Sequence, residues 1–103
     1  MKVRLVDIAY GRSGDKGNHC NIGIIAKLDS DYVRIQKGLT AEIVKQQLAF
    51  TGVTRVERYE LPNIGALNFV LYNALDGGGT TSLRTDSQGK TLAAALLRIE
   101  LDL

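Results

Sequence analysis

The chain has 103 residues, 45% of them hydrophobic and 23% charged, the balance of one globular domain with a single core over residues 1–103. Thirteen Lys and Arg against eleven Asp and Glu leave a formal charge of +2, too weak and too dispersed for a nucleic-acid or membrane footprint. The lone cysteine, Cys20, excludes an internal disulfide framework and every multi-cysteine metal site.

Residues 3–10 (VRLVDIAY) carry apolar side chains at both parities, which predicts an inner strand covered on both sides. Residues 11–20 (GRSGDKGNHC) hold three glycines and little to bury, so they are expected to form a polar loop. Residues 21–28 (NIGIIAKL) resume a β-favouring pattern, interrupted at Gly23 by a bulge or a close backbone approach. A connection this short forbids a parallel crossover, so the strands on its two sides should be antiparallel neighbours.

Asp29 and Ser30 can cap a helix over residues 31–37, with Gly38 closing it in the left-handed conformation. Thr40 caps a second helix whose stripe is Leu39, Ile43, Val44 and Leu48, and Gly52 stops it. Residues 53–61 suggest a third strand ended by Pro62. Asn63 then opens a helix on the spacing of Ile64, Leu67, Leu71 and Leu75, with a strand over residues 68–71 as the alternative, because Phe69 and Val70 favour β geometry. The run DGGG ends it at 76–79. Residues 80–84 read as a short strand, DSQGK as a second polar loop, and residues 90–97 as a last helix fraying into RIELDL. No apolar run approaches the roughly 18 residues that span a bilayer, and MKVRLVDIAY lacks a small-residue cleavage site, so a cytoplasmic location is expected.

Three tempting motifs fail on chemistry. Gly89, Lys90 and Thr91 spell the end of a P-loop, but the position that needs its first glycine is Arg84. The segment GRSGDKG accommodates neither GxGxxG nor GxxxxGK[ST]. His19 and Cys20 look like a base and a nucleophile, yet adjacent strand residues point to opposite faces and cannot share the hydrogen bond that activates a thiol. One histidine and one cysteine make a transition-metal site improbable, and no metal is expected.

What survives is the pair of polar loops. The first offers Arg12, Ser13, Gly14, Asp15, Lys16, Gly17 and Asn18, with glycines that let backbone amides point outward. The second offers Gly77, Gly78 and Gly79 with Arg84, Asp86, Gln88, Gly89 and Lys90, leading into the positive end of the last helix. If they meet at one end of the sheet, the cations Arg12, Lys16, Arg84 and Lys90 would suit a small anion such as a phosphate, a carboxylate or the acidic part of a thioester cofactor. The plainer reading pairs Asp15 with Arg84 or Lys90, and Asp86 with Arg12 or Lys16, and holds the loops to each other. Both readings stay open, and no cofactor is identified.

At the same loops the sequence resembles the small C-terminal domain of the acyclic terpene utilisation protein A (AtuA-like) family. The strings that carry the resemblance are GRSGDKGNHCNIGIIA at 11–26, LTAEIV at 39–44, LPNIGALNFVLYNALDGGGTTSLR at 61–84 and DSQGKTL at 86–92. The resemblance implies a ferredoxin-like α+β fold, with about four mostly antiparallel strands and helices packed on one face. It also implies a domain often found as the tail of a larger chain, so that a free-standing copy would be a small subunit. The family is linked to degradation of acyclic terpenoids and branched acyl-CoA compounds, and the resemblance assigns no catalytic residue. A non-catalytic subunit or binding module is therefore expected, as a homo-oligomer or in complex with a large AtuA-like subunit. The alternative is an anion-binding active site with Lys16 or Asp15 as acid or base. An apolar helix surface over residues 69–75 adds to the expectation of an oligomer.

Overall fold

The computed structural model describes residues 2–16, 19–73 and 90–102, with backbone alone at 15, 16, 50, 90 and 91. In chain order these form β1 (Lys2–Arg4), α1 (Leu5–Ile8), β2 (Ala9–Lys16), β3 (His19–Ala26), α2 (Asp29–Gly38), α3 (Ala41–Gln47), β4 (Arg55–Leu61), β5 (Ala66–Tyr72), α4 (Lys90–Leu97) and β6 (Glu100–Asp102). Single 3₁₀ turns at Ala49–Thr51 and Pro62–Ile64 precede β4 and β5. The main sheet has the order β2-β3-β5-β4, antiparallel throughout. The fold is α+β and ferredoxin-like.

Alternation sets the two faces of this sheet, because successive strand residues project to opposite sides. In β3, Cys20, Ile22 and Ile24 are buried, and in β5, Leu67, Phe69 and Leu71. The register places Cys20 opposite Leu71, Ile22 opposite Phe69 and Ile24 opposite Leu67, so these six share one face. Onto it pack Ile35 of α2, Leu39, Val44 of α3, Leu48, and Leu92 and Leu96 of α4, forming one core. Arg58 of β4 reaches the end of α2, where its Nη1 donates to the carbonyls of Gln36 (2.9 Å) and Leu39 (3.4 Å). Those donations supply partners to carbonyls that a helix end leaves open.

Thr40 caps α3 as expected, its Oγ1 accepting from the Ile43 N–H at 3.2 Å. Gly52 closes the following turn at φ 81°. Other expectations are overturned. Residues 3–10 are not one inner strand: Leu5 and Ile8 are buried while Val6 and Asp7 face outward, a spacing of three that belongs to a helical turn. Residues 11–20 are not a loop, since β2 runs to Lys16 and pairs residue for residue with β3. The regular ladder of β3, rich in isoleucine, carries the polar partner strand. No bulge occurs at Gly23, whose pairing with Arg12 and Asn68 is unbroken. Gly38 is the last residue of α2 rather than a left-handed cap, and Asp29 opens that helix without a side-chain cap.

The helix expected from Asn63 is instead a 3₁₀ turn, a left-handed Gly65 (φ 62°) and the strand β5. The strand alternative over residues 68–71 was the correct one. Burial alternates along β5, and β geometry seats the bulk of Phe69 between flanking strands. RIELDL does not fray, because β6 pairs antiparallel with β1, with Leu101 opposite Val3. The strand expected at residues 80–84 and the loop DSQGK lie outside the described residues. Among the described residues no helix is long and apolar enough to cross a membrane.

Candidate functional site

The second face of the sheet is the one opposite the core. By register it carries Tyr10, Arg12 and Gly14 of β2, then His19, Asn21, Gly23 and Ile25 of β3. Beyond them lie Ala66, Asn68, Val70 and Tyr72 of β5, and Arg55, Glu57, Tyr59 and Leu61 of β4. The core helices all pack on the other side, so among the described residues no helix covers this face. Tyr10 (60% exposed), Tyr59 (49%) and Leu61 (42%) stand on it, with Ile64 (63%) in the turn joining β4 to β5. The apolar helix surface expected over residues 69–75 is corrected across its described part, 69–73, which is the end of β5 and the turn after it, with Phe69 and Leu71 in the core.

Five polar side chains of this face form a connected set. The Glu57 carboxylate Oε1 accepts from the Tyr72 hydroxyl (2.7 Å) and from the Tyr59 hydroxyl (2.9 Å). The Tyr72 hydroxyl, and after it that of Tyr59, holds the Glu57 carboxyl below the usual carboxylate range, while the Glu57 carboxylate raises Tyr59. Arg55 stacks over the Tyr72 ring at 4.1 Å, a cation–π contact. His19 meets the same ring edge-on, with centroids 4.7 Å apart. His19 Nδ1 accepts from the backbone N–H of Asn73 at 3.3 Å. Asn73 is the one non-glycine residue with positive φ (65°) among those described, and its amide donates to Thr54 Oγ1 at 2.9 Å. A depression of about 230 Å³ lies beside this set, lined by His19, Cys20, Asn21, Val70 and Tyr72.

The site residues expected from sequence are divided by the pleat. Arg12 and Gly14 belong to the uncovered face, while Ser13 is on the helix-covered side, so the segment does not act as one loop. Asp15 and Lys16 end β2, and Lys90 opens α4. Gly17, Asn18, Gly77, Gly78, Gly79, Arg84, Asp86, Gln88 and Gly89 lie outside the described residues, and with them the expected approach of the two loops. The middle and end of the helix that follows the second segment are nonetheless near the first: Gly11, Arg12 and Ser13 line a pocket of about 440 Å³ with Ala93, Ala94 and Leu97 of α4. Cys20 is buried in the core and His19 is on the other face, as alternation requires.

The residues that sequence reasoning missed are Arg55, Glu57, Tyr59, Tyr72 and Asn73. Their signal was the alternation in RVERYEL, where positions 55, 57, 59 and 61 share a face. It points to no site until residues 66–72 are read as the adjoining strand.

The chain matches the model of the AtuA ferredoxin-like domain over residues 3–102. It belongs to that family. No curated protein and no solved structure matches it.

The glycines of this AtuA ferredoxin-like domain differ in purpose. A Cβ on Gly11 would meet Leu97 Cδ1 at 3.0 Å, whereas Cβ atoms on Gly14 and Gly23 would meet nothing within 4 Å. Gly11 thus lets α4 approach the sheet, and the other two leave bare backbone on the uncovered face. Gly11→Val is expected to lose about 1–3 kcal/mol by overpacking. Gly23→Ala is expected to gain about 0.5–1 kcal/mol, the ordinary penalty of glycine inside a strand. Urea unfolding of the two variants beside the wild type checks both signs.

Proposed function

We propose that this chain is a non-catalytic binding subunit that docks on a larger AtuA-like protein acting in the degradation of acyclic terpenoid or branched acyl-CoA compounds. The observation that carries the reading is the sheet face that no helix covers among the described residues, with Tyr10, Tyr59 and Leu61 exposed on it and Ile64 exposed in the adjoining turn. Aromatic and aliphatic side chains on a flat, preformed strand surface are the material of interface cores, because their burial is favourable and costs little ordering. The polar set around Glu57 supports the same reading. Tyr72, Tyr59 and Arg55 are braced against one another before any partner arrives. Family membership supports a large AtuA-like protein as the partner, since the resemblance implies a domain that is often the tail of a larger chain.

Sedimentation velocity of the chain mixed with a larger AtuA-like protein tests the proposal. A faster-sedimenting stoichiometric complex is expected. Independent sedimentation of the two proteins at micromolar concentration would overturn it, as would self-association of the chain that excludes the larger protein.

A further inference from the structure

We propose that the larger AtuA-like protein covers this sheet face with an acidic rim over β2, its carboxylates set against Arg12 and Lys27, and with apolar side chains over the end of β4. The acidic rim rests on the docking reading and gives the partner's surface a chemistry and an orientation.

Charges dispersed along the sequence are sorted by the pleat. Among the strand positions that register assigns to this face, Glu57 is the one carboxylate. Its charge is consumed locally: Oε1 accepts from the Tyr72 and Tyr59 hydroxyls, and Oε2 lies 3.8 Å from Arg55 Nη2. Arg12 and Lys27 have no such compensation. Both are exposed, and neither makes an ion pair among the described residues. The register gives Lys16, at the end of β2, the same parity as Arg12. The acidic residues Asp29, Asp31 and Glu42 belong to the helices behind the sheet, and Glu60 is paired with Arg58 at 2.9 Å.

The two edges of the face therefore differ. Along β2, Lys27 Nζ sits 5.1 Å from the Tyr10 ring centroid, a cation–π contact that keeps the ammonium beside the face, and Arg12 follows two residues on. Along β4, Tyr59 and Leu61 stand exposed, and every charged residue of the strand is already in an ion pair. A partner turned the other way would lay its apolar contact on Arg12 and Lys27 and desolvate them without a counter-charge, which is unfavourable. Carboxylates at the β2 rim remove that conflict. Charges at a rim act chiefly on encounter, steering the partners together and fixing their register, while the apolar contact decides how long they stay.

Stopped-flow association of the chain with the larger AtuA-like protein is the test. The association rate constant is expected to fall steeply as sodium chloride is raised. At about 0.1 M salt, where charges more than about 10 Å apart are screened, Arg12→Glu combined with Lys27→Glu should lower it about fivefold or more and leave the dissociation rate nearly constant. Lys37→Glu combined with Lys45→Glu makes the same change in net charge on α2 and α3, at exposed positions behind the sheet, and should lower it by about twofold at most. A complex whose association ignores both salt and the Arg12 and Lys27 pair would overturn the acidic rim while docking stands. Equal slowing by the two pairs would trace the effect to net charge and overturn it as well. Absence of any complex would overturn both readings. Tighter binding of an oligouridylate, or of phosphatidylserine vesicles, than of the larger protein would give the cations to phosphates and overturn the acidic rim.

Discussion

Phe69→Ala is expected to remove about 3–5 kcal/mol of folding free energy, the cost of emptying a fully buried aromatic position. Phe69 has no exposed surface and sits in β5, opposite Ile22 of β3 and Arg58 of β4. A domain of this size has about 5–15 kcal/mol in total, so the variant should melt far below the wild type and lose much of its urea resistance. The same substitution distinguishes two arrangements of the segment. On a helix whose buried stripe is Ile64, Leu67, Leu71 and Leu75, position 69 would lie off the stripe and its truncation would cost little. Urea unfolding that shows a loss below about 1 kcal/mol would contradict the strand and the core built on it.

The second large effect is on association. Tyr10→Asp combined with Leu61→Asp puts two carboxylates on the uncovered face, one on each edge strand, at positions whose side chains are already in water. Folding should be little changed, because surface substitutions away from buried groups act within about 0.5 kcal/mol. Affinity for the larger AtuA-like protein should fall about a hundredfold or more, since desolvating a carboxylate inside an apolar contact costs several times the thermal energy. Val33→Asp provides the control. Val33 is 49% exposed on α2, on the helix side of the molecule. Isothermal titration should find its binding unchanged.

How far the fold could be read from sequence varied with what decides each element. The helix after Thr40 was legible because its cap, its apolar stripe and its stop are local: Thr40 Oγ1 accepts from Ile43, and Gly52 takes the left-handed turn. The strand β4 was legible for a similar reason, with β-branched and aromatic residues running up to Pro62. Residues 63–73 misled because leucines three and four apart satisfy a helix as well as alternate leucines satisfy a strand, and only pairing with β3 and β4 decides. Polarity misled at residues 11–16: a strand that, among the described residues, has one face bare of helices and one edge without a partner strand has no need of apolar residues at every second position. The pairing of β1 with β6 joins the two ends of the chain, and nothing local announces it.

The site divides along the same line. Arg12 and Gly14 drew attention as candidates because polar and glycine residues stand out in composition. Ser13 was assigned with them, although alternation sends it to the other face. The set around Glu57 was invisible because its members come from three strands, and their proximity depends on a register that sequence does not display.

Methyl cross-saturation from the larger AtuA-like protein onto this chain tests most directly whether the uncovered sheet face is the docking surface. Saturation transfer is expected at the methyl groups of Leu61, Ile64, Ile25 and Val70, with Val33 on α2 unaffected. Transfer at Val33 with the sheet-face methyls silent would contradict the account.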